Sequence, residues 1–190
     1  MKKISLVLLI LSAALMLVAC ASMLDAVKKG DAKTVSKMVA EKKDVNIANK
    51  YGDSPLHMAI YKKRPDIAAI LLNAGADIEA KTKKGRTPLM EAARVDCMEC
   101  LKLLIEKGAD VNIEAPGESS ALMSAAKKNN MEAVDLLLVH GADPTVQNAY
   151  GITPLMSAFQ SSYDNRPEME QNERKELIET DPTTAKYEYA

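Results

Sequence analysis

Cys97 and Cys100 are the residues of this chain with the most chemistry open to them. A C-x-x-C pair can act as a redox dithiol or supply half of a zinc site. Zinc needs four ligands, and the sequence holds no second pair; its remaining cysteine is Cys20 and its histidines are His57 and His140. Three readings stay open: two structural thiols in an apolar slot, a disulfide formed in an oxidising compartment, or a thiol-redox function. The two histidines lie too far apart in sequence to suggest a paired site. The chain carries no GxGxxG, P-loop, HExxH or GxSxG motif. Carboxylates are plentiful but fall where helices would face water. No catalytic residue, metal site or cofactor is therefore expected, and the chain reads as a non-enzyme.

Composition sets the elements that must position these residues. The 190 residues carry 25 basic and 26 acidic side chains, a net charge of −1. Such a balance excludes a polyelectrolyte that holds nucleic acid by bulk charge, and no aromatic stacking platform is evident. With six Tyr, one Phe and no Trp, the core must come from Leu, Ile, Val, Ala and Met, which favours helices over a β-sandwich.

The amino terminus is an address. Met1-Lys2-Lys3 is followed by sixteen uncharged residues, Ile4 to Ala19. That run is short for a membrane span, which needs about twenty residues, and fits a secretory signal. It closes with Leu17-Val18-Ala19-Cys20, which resembles the bacterial lipobox. The resemblance implies removal of residues 1–19, a diacylglyceryl thioether on Cys20 and a further acyl chain such as palmitate. Such chains hold a protein on a bilayer. Ala21 follows, and by the lipoprotein sorting rule it implies the periplasmic face of a bacterial outer membrane.

The remainder repeats. Ser54-Pro55-Leu56-His57, Thr87-Pro88-Leu89-Met90, Ser120-Ala121-Leu122-Met123 and Thr153-Pro154-Leu155-Met156 recur at a constant step of 33. Gly75-Ala76-Asp77, Gly108-Ala109-Asp110 and Gly141-Ala142-Asp143 keep the same step, as do Ile70-Leu71-Leu72, Leu103-Leu104-Ile105 and Leu136-Leu137-Leu138. A Ser or Thr before Pro reads as a helix N-cap with Pro in the first turn. The Leu/Ile runs read as the ends of second helices, and the glycines as left-handed C-caps. At this spacing Cys100 falls with Ile67 and Ala133 in an apolar slot.

The period of 33 and the S/T-P-L-H-x-A signature resemble the ankyrin repeat. The resemblance implies an all-α solenoid in which each unit is a helix pair plus a β-hairpin loop. Five repeats are expected, over about 21–49, 50–82, 83–115, 116–148 and 149–180, making one domain from 20 to 180. The first is degenerate: Leu24-Asp25-Ala26-Val27 takes the first-helix slot, Met38-Val39 the Leu pair, and Lys42-Lys43-Asp44 replaces Gly-Ala-Asp. The last departs from the pattern, because Leu177-Ile178 comes about seven residues late. An elongated loop over Ser161 to Pro167, a helix from about 167 to 180 and a flexible tail over 181–190 are expected. In the family, the His57 slot serves to hydrogen-bond the turn, a structural role. His140 is expected as an exposed helix-end residue.

Ankyrin-like arrays bind through the loop tips and the exposed side of the first helices. Carried onto this sequence, those positions include Lys50, Tyr51, Tyr61, Lys62, Lys83, Lys84, Arg86, Arg94, Lys127, Lys128 and Tyr150. Of twenty such positions eight are Lys or Arg and one, Asp53, is acidic, whereas the chain without Lys2 and Lys3 has net charge −3. Tyr and Arg are common interface anchors. The expected function is a monomeric, lipid-anchored module that binds an acidic envelope protein. The alternatives are an immunity-type lipoprotein that neutralises a toxic periplasmic enzyme, or a thiol-redox protein using Cys97 and Cys100.

Overall fold

From the second repeat on, each first helix starts where a small hydroxyl side chain closes the first turn. Ser54, Thr87, Ser120 and Thr153 sit in extended backbone or just before the helix, and their oxygens accept the amides of His57, Met90, Met123 and Met156. Pro55, Pro88 and Pro154 occupy the first helical position, where the missing N–H has no partner to lose.

The computed structural model describes residues 23–116 and 120–164, with side chains described to residue 159. Nine helices run through them: α1 (23–29), α2 (Ala32–Ala40), α3 (Pro55–Tyr61), α4 (Pro65–Asn73), α5 (Pro88–Val95), α6 (Met98–Glu106), α7 (Ala121–Lys127), α8 (Met131–Val139) and α9 (Pro154–Asp164). They form two layers. In one, α3, α5, α7 and α9 lie side by side; in the other α2, α4 and α6 do the same, and α4, α6 and α8 each pack on the first helix of their own unit. Among the described residues there is no strand, and no helix is long and apolar enough to cross a membrane.

The core lies between the layers. Ala59, Ala92 and Ala125 are fully buried, and their small side chains let neighbouring first helices approach. Leu56, Leu89 and Leu122 fill the layer below, and Leu71, Leu104 and Leu137 close it from the second helices. No unit can bury these residues alone, so stability is shared across each junction.

Turns between helices obey the same step. Gly75, Gly108 and Gly141 hold φ between 85° and 87° at the ends of second helices, and Lys42 takes the equivalent place at 55°. Ala76, Ala109 and Ala142 then donate back to Leu71, Leu104 and Leu137, the Schellman arrangement. The first helices end identically at Gly30, Lys63, Asp96 and Asn129, all with positive φ. Sequence reading locates the first set by its glycines and misses the second, where four positions carry four residue types.

Two expectations are corrected. The loops expected as β-hairpins are tight turns without strands: Asn49 donates to Asp53 and Gly52 to Asn49, and Asn148 and Gly151 repeat the pattern. One closing hydrogen bond is too few for a ladder. The loop expected over Ser161 to Pro167 does not begin at Ser161, because α9 remains helical through Asp164; residues 165–167 lie outside the described residues. The signal segment and the lipid-bearing Cys20 lie outside the described residues, as do the helix expected over 167–180 and the tail over 181–190.

Candidate interaction surface

The finger tips are shaped by a side chain at their base. The Asn49 Oδ1 accepts the Tyr51 amide at 2.7 Å and the Asp53 amide at 3.1 Å. Asn148 does the same for Tyr150 and Ile152 at 2.9 and 3.1 Å, and Thr82 Oγ1 accepts the Arg86 amide at 3.2 Å. This folding turns Tyr51 and Tyr150 outward, 60% and 81% exposed. Adjacent fingers touch through their backbones, the Lys83 amide donating to the Tyr51 carbonyl at 3.0 Å. Gly52 allows that approach: its φ is 84°, and a Cβ there would lie 2.6 Å from the Lys83 nitrogen.

On the helical side, Tyr61 ends α3 and is 53% exposed. The Lys62 ammonium lies 5.8 Å from its ring centroid and the Arg94 guanidinium carbon 6.0 Å, while Lys50 lies 4.9 Å from the Tyr51 ring. These are cation–π distances. The acids of this face are engaged. The Asp53 carboxylate accepts from the Asn49 side-chain Nδ2 at 2.9 Å, and the buried Glu91 is held by Arg94 through Nε at 3.0 Å and a second, shorter contact. Lys83, Lys84, Lys127 and Lys128 are exposed; the last two end α7, where positive charge meets the helix carbonyls favourably.

The structure thus separates the sequence-derived candidates. Tyr51, Tyr61, Tyr150 and the six lysines present their side chains to solvent. Arg94 divides its reach between Glu91 and Tyr61, and Arg86 is half-buried, its carbonyl receiving His57. Both arginines therefore also serve the scaffold. Residues 117–119 of the fourth repeat lie outside the described residues.

His57 is buried in the first turn of α3. Its Nε2 lies 3.2 Å from the Arg86 carbonyl, which only accepts, so Nε2 carries the hydrogen and donates. Its Nδ1 then accepts from Ser54, whose hydroxyl lies at 2.9 Å. Burial holds its pKa below the ordinary value of 6.5. The ring spans one junction between repeats, in agreement with a structural role. His140 is exposed at the end of α8, with Nδ1 2.8 Å from the Leu136 carbonyl.

Cys97 and Cys100 are bridged, with their Cα atoms 5.3 Å apart, and both are buried. They occupy the N-cap of α6 and the third residue of its first turn. At the same two places Asp31 accepts the Thr34 amide and Asn130 the Ala133 amide, at 3.0 and 2.9 Å. A covalent link here replaces a capping hydrogen bond. Among the described residues no group of three or more His, Cys, Asp or Glu could hold a metal. Hollows of about 390 and 400 Å³ flank the fingers, one lined by Glu114, Pro116, Met123 and Asn148, the other by Lys42, Lys43 and Asp44; neither gathers an acid, base and nucleophile.

Stacked helix pairs with a row of finger tips, and no reactive cluster among the described residues, define a repeat solenoid. Two models of ankyrin repeats match the sequence, one over residues 23–115 and one over 104–156. The chain belongs to the ankyrin-repeat family, whose members are generally non-catalytic modules that bind other proteins. No curated protein matches the sequence.

Proposed function

We propose that this chain is a non-catalytic docking protein, monomeric and tethered by lipid on Cys20 to the periplasmic face of a bacterial outer membrane. Its partner is an acidic segment of another envelope protein, seated across the fingers and first helices of the second to fourth repeats. One observation carries this reading. Tyr51 and Tyr61 stand exposed beside Lys50, Lys62 and Arg94, while the neighbouring acids Asp53 and Glu91 are already held by Asn49 and Arg94. The surface offers apolar anchors and positive charge together, the pairing that steers and then retains an acidic partner. The lipobox-like Leu17 to Cys20 supports the tether, and a disulfide at Cys97–Cys100 is compatible with an oxidising envelope.

Affinity capture from native membranes tests it. The fourfold variant Lys62→Glu, Lys83→Glu, Lys84→Glu, Lys127→Glu leaves Arg94 on Glu91 and keeps the fold. Partner recovery is expected to fall at least tenfold, and recovery by the unaltered protein to weaken as salt is raised. Equal recovery by both proteins at all salt concentrations overturns the acidic-partner reading.

A further inference from the structure

The last described helix ends the array with its core face uncovered. Leu155, Met156 and Phe159 are 67%, 52% and 68% exposed, whereas the residues one, two and three periods earlier are no more than 5% exposed. The same positions that fill the core at α3, α5 and α7 are bare at α9. A face of this size and apolarity needs a cover.

A regular second helix cannot supply it. At the step of 33, the slots of Ile67, Cys100 and Ala133 and of Leu71, Leu104 and Leu137 fall on Arg166 and Glu170. Yet α9 differs from its counterparts in a way that changes the register. The helices α3, α5 and α7 have 7, 8 and 7 residues, and α9 has 11. It runs straight through residue 162, the place where Lys63, Asp96 and Asn129 turn the chain. One extra turn outward requires one extra turn on the return, about 7 residues in all. The apolar pair that belongs at 170 and 171 is found seven residues later, as Leu177 and Ile178. Soon after it comes Asp181-Pro182-Thr183, a copy of Asp143-Pro144-Thr145, whose aspartate caps Thr145 at 2.7 Å just beyond α8.

We propose that the chain covers its own end: residues 165–190 fold back along α9, with Leu177 and Ile178 seated on Phe159 and Leu155, where the other repeats place the apolar face of a second helix. The segment is joined directly to α9, so its local concentration exceeds that of any free competitor.

Two measurements on the full chain in detergent test this. Hydroxyl-radical footprinting of the unaltered protein is expected to label Met156 and Phe159 several-fold less than Tyr150, which lies off this face. In hydrogen exchange, Leu177→Asp with Ile178→Asp is expected to speed the amides of 154–164 at least tenfold and leave those of α5 and α6 unchanged. The conservative Leu177→Met with Ile178→Val is expected to retain protection. Full labelling of Met156 and Phe159, or exchange indifferent to the aspartates, overturns the proposal. So does protection that grows with protein concentration alongside a doubled mass by light scattering, which makes a second copy the cover. Loss of the cover leaves the basic face intact, so this proposal can fail while partner capture persists.

Discussion

Glu79 occupies a position held at the neighbouring junctions by asparagine. Asn46 and Asn112 each bridge to the following repeat twice, their oxygens taking the amides of Asp77 and Asp143 and their nitrogens reaching the carbonyls of Gly75 and Gly141. Glu79 reproduces the first bond, to Asp110 at 2.7 Å, but has no nitrogen for the second, and its other oxygen is buried without a partner. Burial, followed by the repulsion of Asp110 and Asp77, holds its pKa above the ordinary value of 4.5, against the opposing hydrogen bond and Lys81. Glu79→Asn is therefore expected to stabilise the protein by about 1 kcal/mol at pH 7, from a restored hydrogen bond and a removed, partly buried charge; urea denaturation measures it. The folded state binds the Glu79 proton more tightly than the unfolded state, so this residue costs stability as pH rises through its raised pKa, and the variant is expected to lose that dependence. His57 has the opposite sign. Its folded pKa lies below 6.5, so its contribution is complete above that value and is lost as pH falls below it. Thermal melts at pH 5 and 7.5 should differ less for His57→Met, which takes the residue of the third, fourth and fifth repeats, than for the unaltered chain.

Among the elements, the second helices and their ends set stability. Leu104→Ala opens a cavity in a fully buried slot of α6 and is expected to cost about 2–5 kcal/mol by denaturant titration. Lys42 holds the left-handed place that glycine takes in the next three repeats, and its side chain is exposed. Relief of that backbone strain outweighs the added freedom of the unfolded chain, so Lys42→Gly is expected to stabilise by about 0.5–1 kcal/mol. The helix pairs and their glycine ends were legible in the sequence because one residue type marks each place. The first-helix ends were not: Gly30, Lys63, Asp96 and Asn129 share a conformation and no chemistry. The extension of α9 was equally hidden, since Ser161-Ser162-Tyr163-Asp164 has the look of a loop by propensity and yet stays helical.

For the whole molecule, the repeat period alone carried the architecture, and the family's loop positions carried most of the candidate surface. What the sequence could not separate was reach from duty. Arg86 and Arg94 read as surface cations like Lys83 and Lys84, but one lends its carbonyl to His57 and the other holds a buried Glu91. Only packing distinguishes them. The junction bonds described between fingers come from Asn46, Asn112, Glu79 and main-chain atoms, and none employs the side chain of Lys50, Tyr51, Lys83 or Lys84. The framework and the lettering written on it are thus kept in separate hands. The tips can be rewritten one at a time, by drift or by a designer seeking a new target, while the spine beneath them stays as it is.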